Sequence, residues 1–189
     1  MSTLGRDTLQ KPIDVDEVGG SRFFGSLDVE DANQESGESR YACRIGAWWF
    51  LVPLDRQAEV IPRQTCSRLP FTQIWCLGLT NHRGDLVPVY DLGAMIEEER
   101  GQGDGRYFLI LGQREARTGL CIDEIRSIRI PKEAHFVPLY PMRHFPEDFD
   151  CRGIRFEGTF FVEVDFTELL EILAKQALLF GANDPLCGE

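Results

Sequence analysis

Histidine is scarce in this chain. Its three residues, His82, His135 and His144, show no His-x-x-x-His spacing and have no cysteine two or three positions away, so no metal cage is written into the sequence. Six cysteines stand at 43, 66, 76, 121, 151 and 187 without a Cys-x-x-Cys, which removes zinc-ribbon, iron-sulfur and redox-dithiol motifs. No glycine-rich loop joins a strand to a helix as dinucleotide and P-loop folds require, and Gly101-Gln102-Gly103-Asp104-Gly105 reads as a linker. A Gly-x-Ser-x-Gly nucleophile elbow is missing as well. The carboxylates Asp123-Glu124 and Glu163 with Asp165 fit a solvated or salt-bridged surface better than acid-base machinery. These absences predict a protein that is not an enzyme and uses no cofactor or metal.

Positive charge is also in short supply. With 20 basic against 31 acidic residues the formal net charge is -11, and no local basic patch offsets it, which disfavours nucleic-acid phosphates and anionic bilayers as partners. No charged segment followed by an apolar stretch opens the chain, and no run approaches the length of a membrane span. A cytoplasmic protein without direct membrane insertion is expected.

What the chain does have is apolar content, 43% of its 189 residues, enough to fill one sizeable domain or two small packed halves. Cys43, Cys76 and Cys121 fall inside apolar, strand-like runs and are expected to pack as small hydrophobes. Residues 1–40 differ in character. They carry Asp14, Asp16, Glu17, Asp28, Glu30, Asp31, Glu35 and Glu38 among glycines and serines, and predict a flexible acidic leader. Within it Arg22-Phe23-Phe24-Gly25 is either a small docking anchor or an incidental aromatic pair.

From Tyr41 the pattern becomes one of short strands: Tyr41–Ile45, Trp48–Pro53, Ala58–Ile61, and two more around residues 81–84. If each strand buries one apolar side, a closed or nearly closed barrel removes the exposed edges. A second pass follows the linker at 97–105, with strands at Arg106–Leu111, Thr118–Asp123 and Ile125–Ile130, and a hairpin of Cys151–Phe156 and Thr159–Asp165 that needs only one core face. Between them, Pro131–Phe149 reads as an irregular exposed loop. Phe166 to about Phe180 is an amphipathic helix capped by Thr167, packing on its own domain or presented to a partner, and residues 181–189 form a short tail.

The most informative stretch runs from Ile74 to Leu92. Two apolar strands flank a polar Asn81-His82-Arg83-Gly84 turn that holds a guanidinium in a fixed place without a nucleophile or phosphate loop beside it. Glu59 is an available anion on an earlier strand, so Arg83 either forms a bidentate pair with Glu59 or remains solvated.

At this turn the chain resembles the CheW-like family of chemosensory adaptors. The resemblance is carried by Gly78-Leu79-Thr80-Asn81-His82-Arg83-Gly84-Asp85-Leu86-Val87-Pro88-Val89-Tyr90-Asp91-Leu92. Supporting marks occur in order: Leu54-Asp55 before Glu59-Val60-Ile61, Gly119 to Ile125, and Arg152-Gly153 before Asp165 to Leu170. It implies an all-β fold of two intertwined five-stranded β-barrels with a hydrophobic core between them and a C-terminal helix, over residues 41–180. It further implies a non-enzymatic adaptor, recruited to chemoreceptor arrays, that bridges a methyl-accepting chemoreceptor and the regulatory domain of a CheA-type histidine kinase. Leu54-Asp55, Leu69-Pro70 with Trp75, and the leucine-rich helix are similar to the adaptor branch serving type IV pilus systems.

By that resemblance Glu59 and Arg83 form a structural charge pair beside a receptor-facing groove, with Val60, Gly78, Asn81 and Gly84 near it. Gly119, Asp123 and Gly153 are implied as second-barrel positions shaping contacts with the kinase or a neighbouring adaptor. His82 departs from the leucine usual before Arg-Gly, and as a polar residue it either alters receptor preference or faces water. Gln57, Ala58 and the acidic leader also depart from the pattern. The competing class is a small β-barrel ligand-binding regulator or enzyme on the same scaffold, which requires a deep pocket with converging polar groups.

Overall fold

Tyr107-Phe108-Leu109-Ile110-Leu111 sets the architecture, because five consecutive buried apolar residues demand a strand covered on both faces. The computed structural model describes residues 22–23, 37–53, 57–96, 105–113, 116–139, 145–146 and 149–178. In chain order the strands are β1 (Arg22–Phe23), β2 (Gly37–Ile45), β3 (Trp48–Leu51), β4 (Ala58–Pro62), β5 (Cys76–His82), β6 (Asp85–Tyr90), β7 (Tyr107–Leu111), β8 (Thr118–Ile122), β9 (Glu124–Pro131), β10 (Val137–Pro138), β11 (Cys151–Phe156) and β12 (Thr159–Val164). The helices are α1 (Leu92–Ile96) and α2 (Phe166–Gln176).

The strands form two six-stranded sheets, ordered β1-β4-β7-β8-β6-β5 and β10-β11-β12-β3-β2-β9. Each has five longer strands and one of two residues. The sheets are not successive halves of the chain, as two passes along the sequence suggest. β2 and β3 leave the strands that follow them and join β9, β11 and β12, with parallel pairing of β3 to β12. The two halves are therefore intertwined.

Three apolar clusters explain why the strands have two dry faces. Ile61, Leu77, Val87, Val89, Phe108, Ile110 and Cys121 fill the interior of the first sheet, while Ala42, Leu51, Ile128, Ile130, Ile154 and Phe161 fill that of the second. The largest cluster lies between them and takes residues from both, including Val60, Leu109, Leu111 and Leu120 from one and Cys43, Ile45, Phe50 and Val162 from the other. Alternate residues of β7 thus serve a barrel interior and the shared core. The same holds for β12, where Phe161 and Val162 are both fully buried, so the expectation of a single core face fails there.

Closure of the first sheet is local. After β4 the chain continues to Ser67, which exchanges two backbone hydrogen bonds with Leu79 of β5, at 2.7 and 2.9 Å. Thr80 Oγ1 adds a bond to the Thr65 carbonyl at 3.2 Å. This seam links the segment that follows β4 to β5, at the far end of the sheet order, and closes the sheet into a barrel.

The C-terminal helix is capped by Asp165, whose side chain accepts from the backbone N–H of Thr167 and Glu168, and not by Thr167 as expected. Its apolar face, with Phe166, Leu169, Leu170, Ile172 and Leu173, packs on the shared core. The short helix α1 was not expected. It follows directly on Asp91, whose side chain accepts from the Ala94 N–H at 3.0 Å. Within the segment expected to be an irregular loop, Val137–Pro138 pairs with Gly153 and Arg152. The linker at 97–104, the tail at 181–189 and most of the leader lie outside the described residues, whereas β2 begins at Gly37, before Tyr41.

Candidate functional site at the β5–β6 hairpin

His82 pairs with Asp85, which leaves Arg83 and Gly84 as a two-residue turn. Both have positive φ, 55° and 91°, the mirror-type hairpin geometry whose twist matches the flanking strands. Arg83 adopts a conformation that costs a non-glycine residue about 1 kcal/mol or more, and Gly84 relieves its half of that cost. Asn81 Oδ1 accepts from the Gly84 N–H at 3.2 Å and steadies the turn.

His82 is therefore the last residue of β5 and not part of the turn. It does not face water. Thr80 pairs with Val87, an interior residue, and His82 lies two positions further along the same strand face. Glu59 pairs with interior Ile110 and so points into the same barrel from β4. The two side chains meet at the barrel's end, with Glu59 and His82 each only 5% exposed. His82 Nε2 lies 3.1 Å from Glu59 Oε2, and Arg83 Nη2 donates to Glu59 Oε1 at 2.7 Å. Of the two alternatives read from the sequence, pairing of Arg83 with Glu59 is the one present, and the carboxylate is shared with His82. A carboxylate only accepts, so the facing ring nitrogen of His82 carries the proton.

This cluster lies across the seam. Glu59 belongs to β4 and both partners come from β5 and its hairpin, so the three side chains reinforce the Ser67–Leu79 closure. Gly78 serves the same seam: its φ is +108°, and a Cβ there would collide with the Ser67 carbonyl. Val60, on the opposite face of β4, is fully buried in the shared core and shapes the site from beneath. What remains at the surface is the Arg83 side chain, 47% exposed, with Asn81 and the exposed apolar Leu86 opposite it.

The remaining site residues are dispersed. Gly119 belongs to the first barrel, in β8, and not to the second; there a side chain would press on Val89 Cγ2 and Ile110 Cδ1 at 3.0 and 3.2 Å. Cross-strand pairing nevertheless places Glu59, Ile110, Gly119, Val89 and Gly78 in one row across the sheet. Asp123 stands at the crossing from β8 to β9, where its Oδ2 accepts from the Gly46 N–H at 2.8 Å and lies 3.5 Å from Arg44 Nη1. It ties the β2–β3 turn to the crossing between barrels. Gly153 makes room for the Phe160 ring and for Leu139.

Strand alternation was the signal for His82, since it shares the parity of buried Thr80. Leu69, Phe71, Ile74 and Leu178, an exposed apolar group around the Thr72–Leu178 bridge, carried no motif that would single it out. Phe71 has φ +57°, so its backbone is held in an unfavourable region. An open cleft of about 440 Å³ lies near the start of α2. Among its lining residues Arg40 and Arg152 each pair with Glu163, at 3.2 Å.

Residues 41–170 match the CheW-like domain family. The chain belongs to that family. Among curated relatives, Protein PilI of Pseudomonas aeruginosa is 28% identical over 109 residues, 56% of this chain and 52% of that protein. Protein FrzA of Myxococcus xanthus is 28% identical over 57% of this chain and 68% of its own length. A probable chemotaxis protein CheW of Rhizobium etli is 29% identical over 54% and 66%. The chain thus spans about half the length of the PilI relative. The crystal structure of scaffolding protein TtCheW from Thermoanaerobacter tengcongensis superposes with a TM-score of 0.59 at 19% identity, covering 76% of this chain and 99% of that one, and shows the shared fold. The CheW-like scaffold accounts for the paired barrels. No helix among the described residues is long and apolar enough to cross a membrane.

Proposed function

We propose that this chain is a non-enzymatic adaptor that couples a methyl-accepting chemoreceptor to the regulatory domain of a CheA-type histidine kinase, within a system controlling type IV pilus motility. The observation that carries the proposal is the Glu59–His82–Arg83 cluster. It closes the end of the first barrel and holds a two-residue turn rigid, so that Arg83, Asn81 and Leu86 are presented from a fixed frame. A preorganised surface of mixed apolar and cationic character suits docking of a protein, because little ordering entropy is lost on binding. Support for the signalling context comes from relatives named PilI, FrzA and chemotaxis protein CheW.

In this reading the protein is cytoplasmic and is recruited to receptor arrays. Asn81, Arg83 and Gly84 form the receptor-facing turn, Glu59, Val60, Gly78 and His82 support it, and Gly119, Asp123 and Gly153 shape the frame used by the kinase or a neighbouring adaptor. Titration of the purified protein against a soluble receptor-tip fragment and against the kinase regulatory domain tests it. Saturable binding to both, at separate surfaces, is expected. Binding to neither, under conditions where a known adaptor assembles, overturns it.

A further inference from the structure

The edge of β4 that faces away from β7 is occupied by residues from far upstream. Arg22 and Phe23 pair antiparallel with Val60 and Glu59, and β1 stands at the end of the sheet order. This is the edge that faces the seam. Ser67–Leu79 closes the seam further along, and β1 covers the part of β4 that carries Glu59 and Val60. The next strand in sequence, β2, belongs to the other sheet.

We propose that the β4 edge at Glu59–Val60 is a strand-addition surface whose occupant is the chain's own Arg22–Phe23 segment, and that this segment competes with the receptor for access to the hairpin site. The proposal rests on the receptor reading above. An open strand edge offers unpaired backbone donors and acceptors and accepts any extended segment that fits. A two-residue strand makes few hydrogen bonds, so it is held chiefly by its tether, which keeps its effective concentration high while leaving it displaceable. The leader then acts as a built-in competitor: it covers the edge when no partner is present and yields to one that binds well enough. The Arg22–Phe23 pair thereby acquires a role as an anchor.

The full-length double variant Arg22→Pro/Phe23→Pro tests this, since proline removes both backbone donors and leaves the folded strands untouched. Two measurements are made on parent and variant. Hydrogen exchange of the peptide covering 58–62 reports on the edge without any partner, and at least a tenfold faster exchange of its protected amides is expected in the variant. Unchanged exchange overturns strand addition. Titration with a soluble receptor-tip fragment reports on competition, and about threefold to tenfold tighter binding by the variant is expected. Equal or weaker binding by the variant, with faster exchange, overturns the competition. If neither protein binds the fragment, the competition falls together with the receptor reading, while the exchange result still decides whether β1 guards the edge.

Discussion

His82 Nε2 lies 3.1 Å from Glu59 Oε2, so His82 is bound to the same carboxylate that holds Arg83. Burial makes the two contacts unequal. Glu59 and His82 are both withdrawn from water, whereas the Arg83 side chain is 47% exposed and its attraction to Glu59 is screened.

Glu59→Ala should therefore destabilise the fold by about 3 kcal/mol, because it leaves the buried His82 donor without its acceptor. Arg83→Ala should cost about 1 kcal/mol or less. A double-mutant cycle between Glu59→Gln and His82→Gln, read by urea unfolding, should give a coupling of about 1–3 kcal/mol. A coupling near zero would show that the contact does not contribute to stability.

Gly78 and Gly84 both have positive φ yet should respond differently to alanine. At Gly84 nothing lies within 4 Å of an added Cβ, so only backbone strain of about 1 kcal/mol is expected. At Gly78 the same strain is joined by a collision with the Ser67 carbonyl, and the seam must open. Gly78→Ala should lower Tm at least twice as far as Gly84→Ala in parallel thermal melts. Equal shifts would mean that the Ser67–Leu79 closure is not tightly packed.

The contrast between these residues also explains what was legible in the sequence. Strand positions followed from apolar runs and breakers, and the link between Glu59 and Arg83 followed from opposite charge and a turn that aims its side chain. Sharing of the carboxylate did not, because the position of His82 depends on which face of β5 points into the barrel, and that is fixed by pairing with β6. Intertwining was hidden from local pattern for the same kind of reason. Nothing in Trp48-Trp49-Phe50-Leu51 says that its neighbour is Phe161-Val162, more than a hundred residues away. Both faces of β7 were apolar from the start, yet a second dry face signals a shared core only once two barrels are known to meet.

Cys43 is sealed in the shared core, and burial pushes its thiol up from 9.0 to about 12; Cys151 rises to about 11 for the same reason, with Asp150 adding to the shift. In the unfolded chain these thiols ionise near pH 9, while in the folded protein they remain protonated. Their stabilising effect is complete below pH 9 and is lost as pH rises towards 11 and 12. Each contributes a slope of up to about 1.4 kcal/mol per pH unit in that window. Urea midpoints should fall between pH 9 and 11, and Cys43→Ala should flatten the decline. Alkylation at pH 8 should modify half-buried Cys66 before buried Cys43, Cys76, Cys121 or Cys151. Early modification of Cys43 would contradict a closed shared core.

Asp123 offers a test that separates architecture from contact. Its carboxylate accepts from the Gly46 N–H at 2.8 Å and lies 3.5 Å from Arg44, which also bonds Glu124 at 3.3 Å. Removing the side chain deprives the β2–β3 turn of its acceptor but leaves Arg44 an anion. Asp123→Ala should therefore cost about 1–2 kcal/mol and speed amide exchange at Gly46, while Asp123→Asn, which keeps an acceptor oxygen, should recover most of that loss. Under the proposed adaptor function, an Asp123 that acts on the kinase regulatory domain only through this turn leaves the asparagine variant binding that domain as the parent does. Loss of kinase binding in both variants, with Gly46 still protected in the asparagine form, would instead make the carboxylate itself a contact.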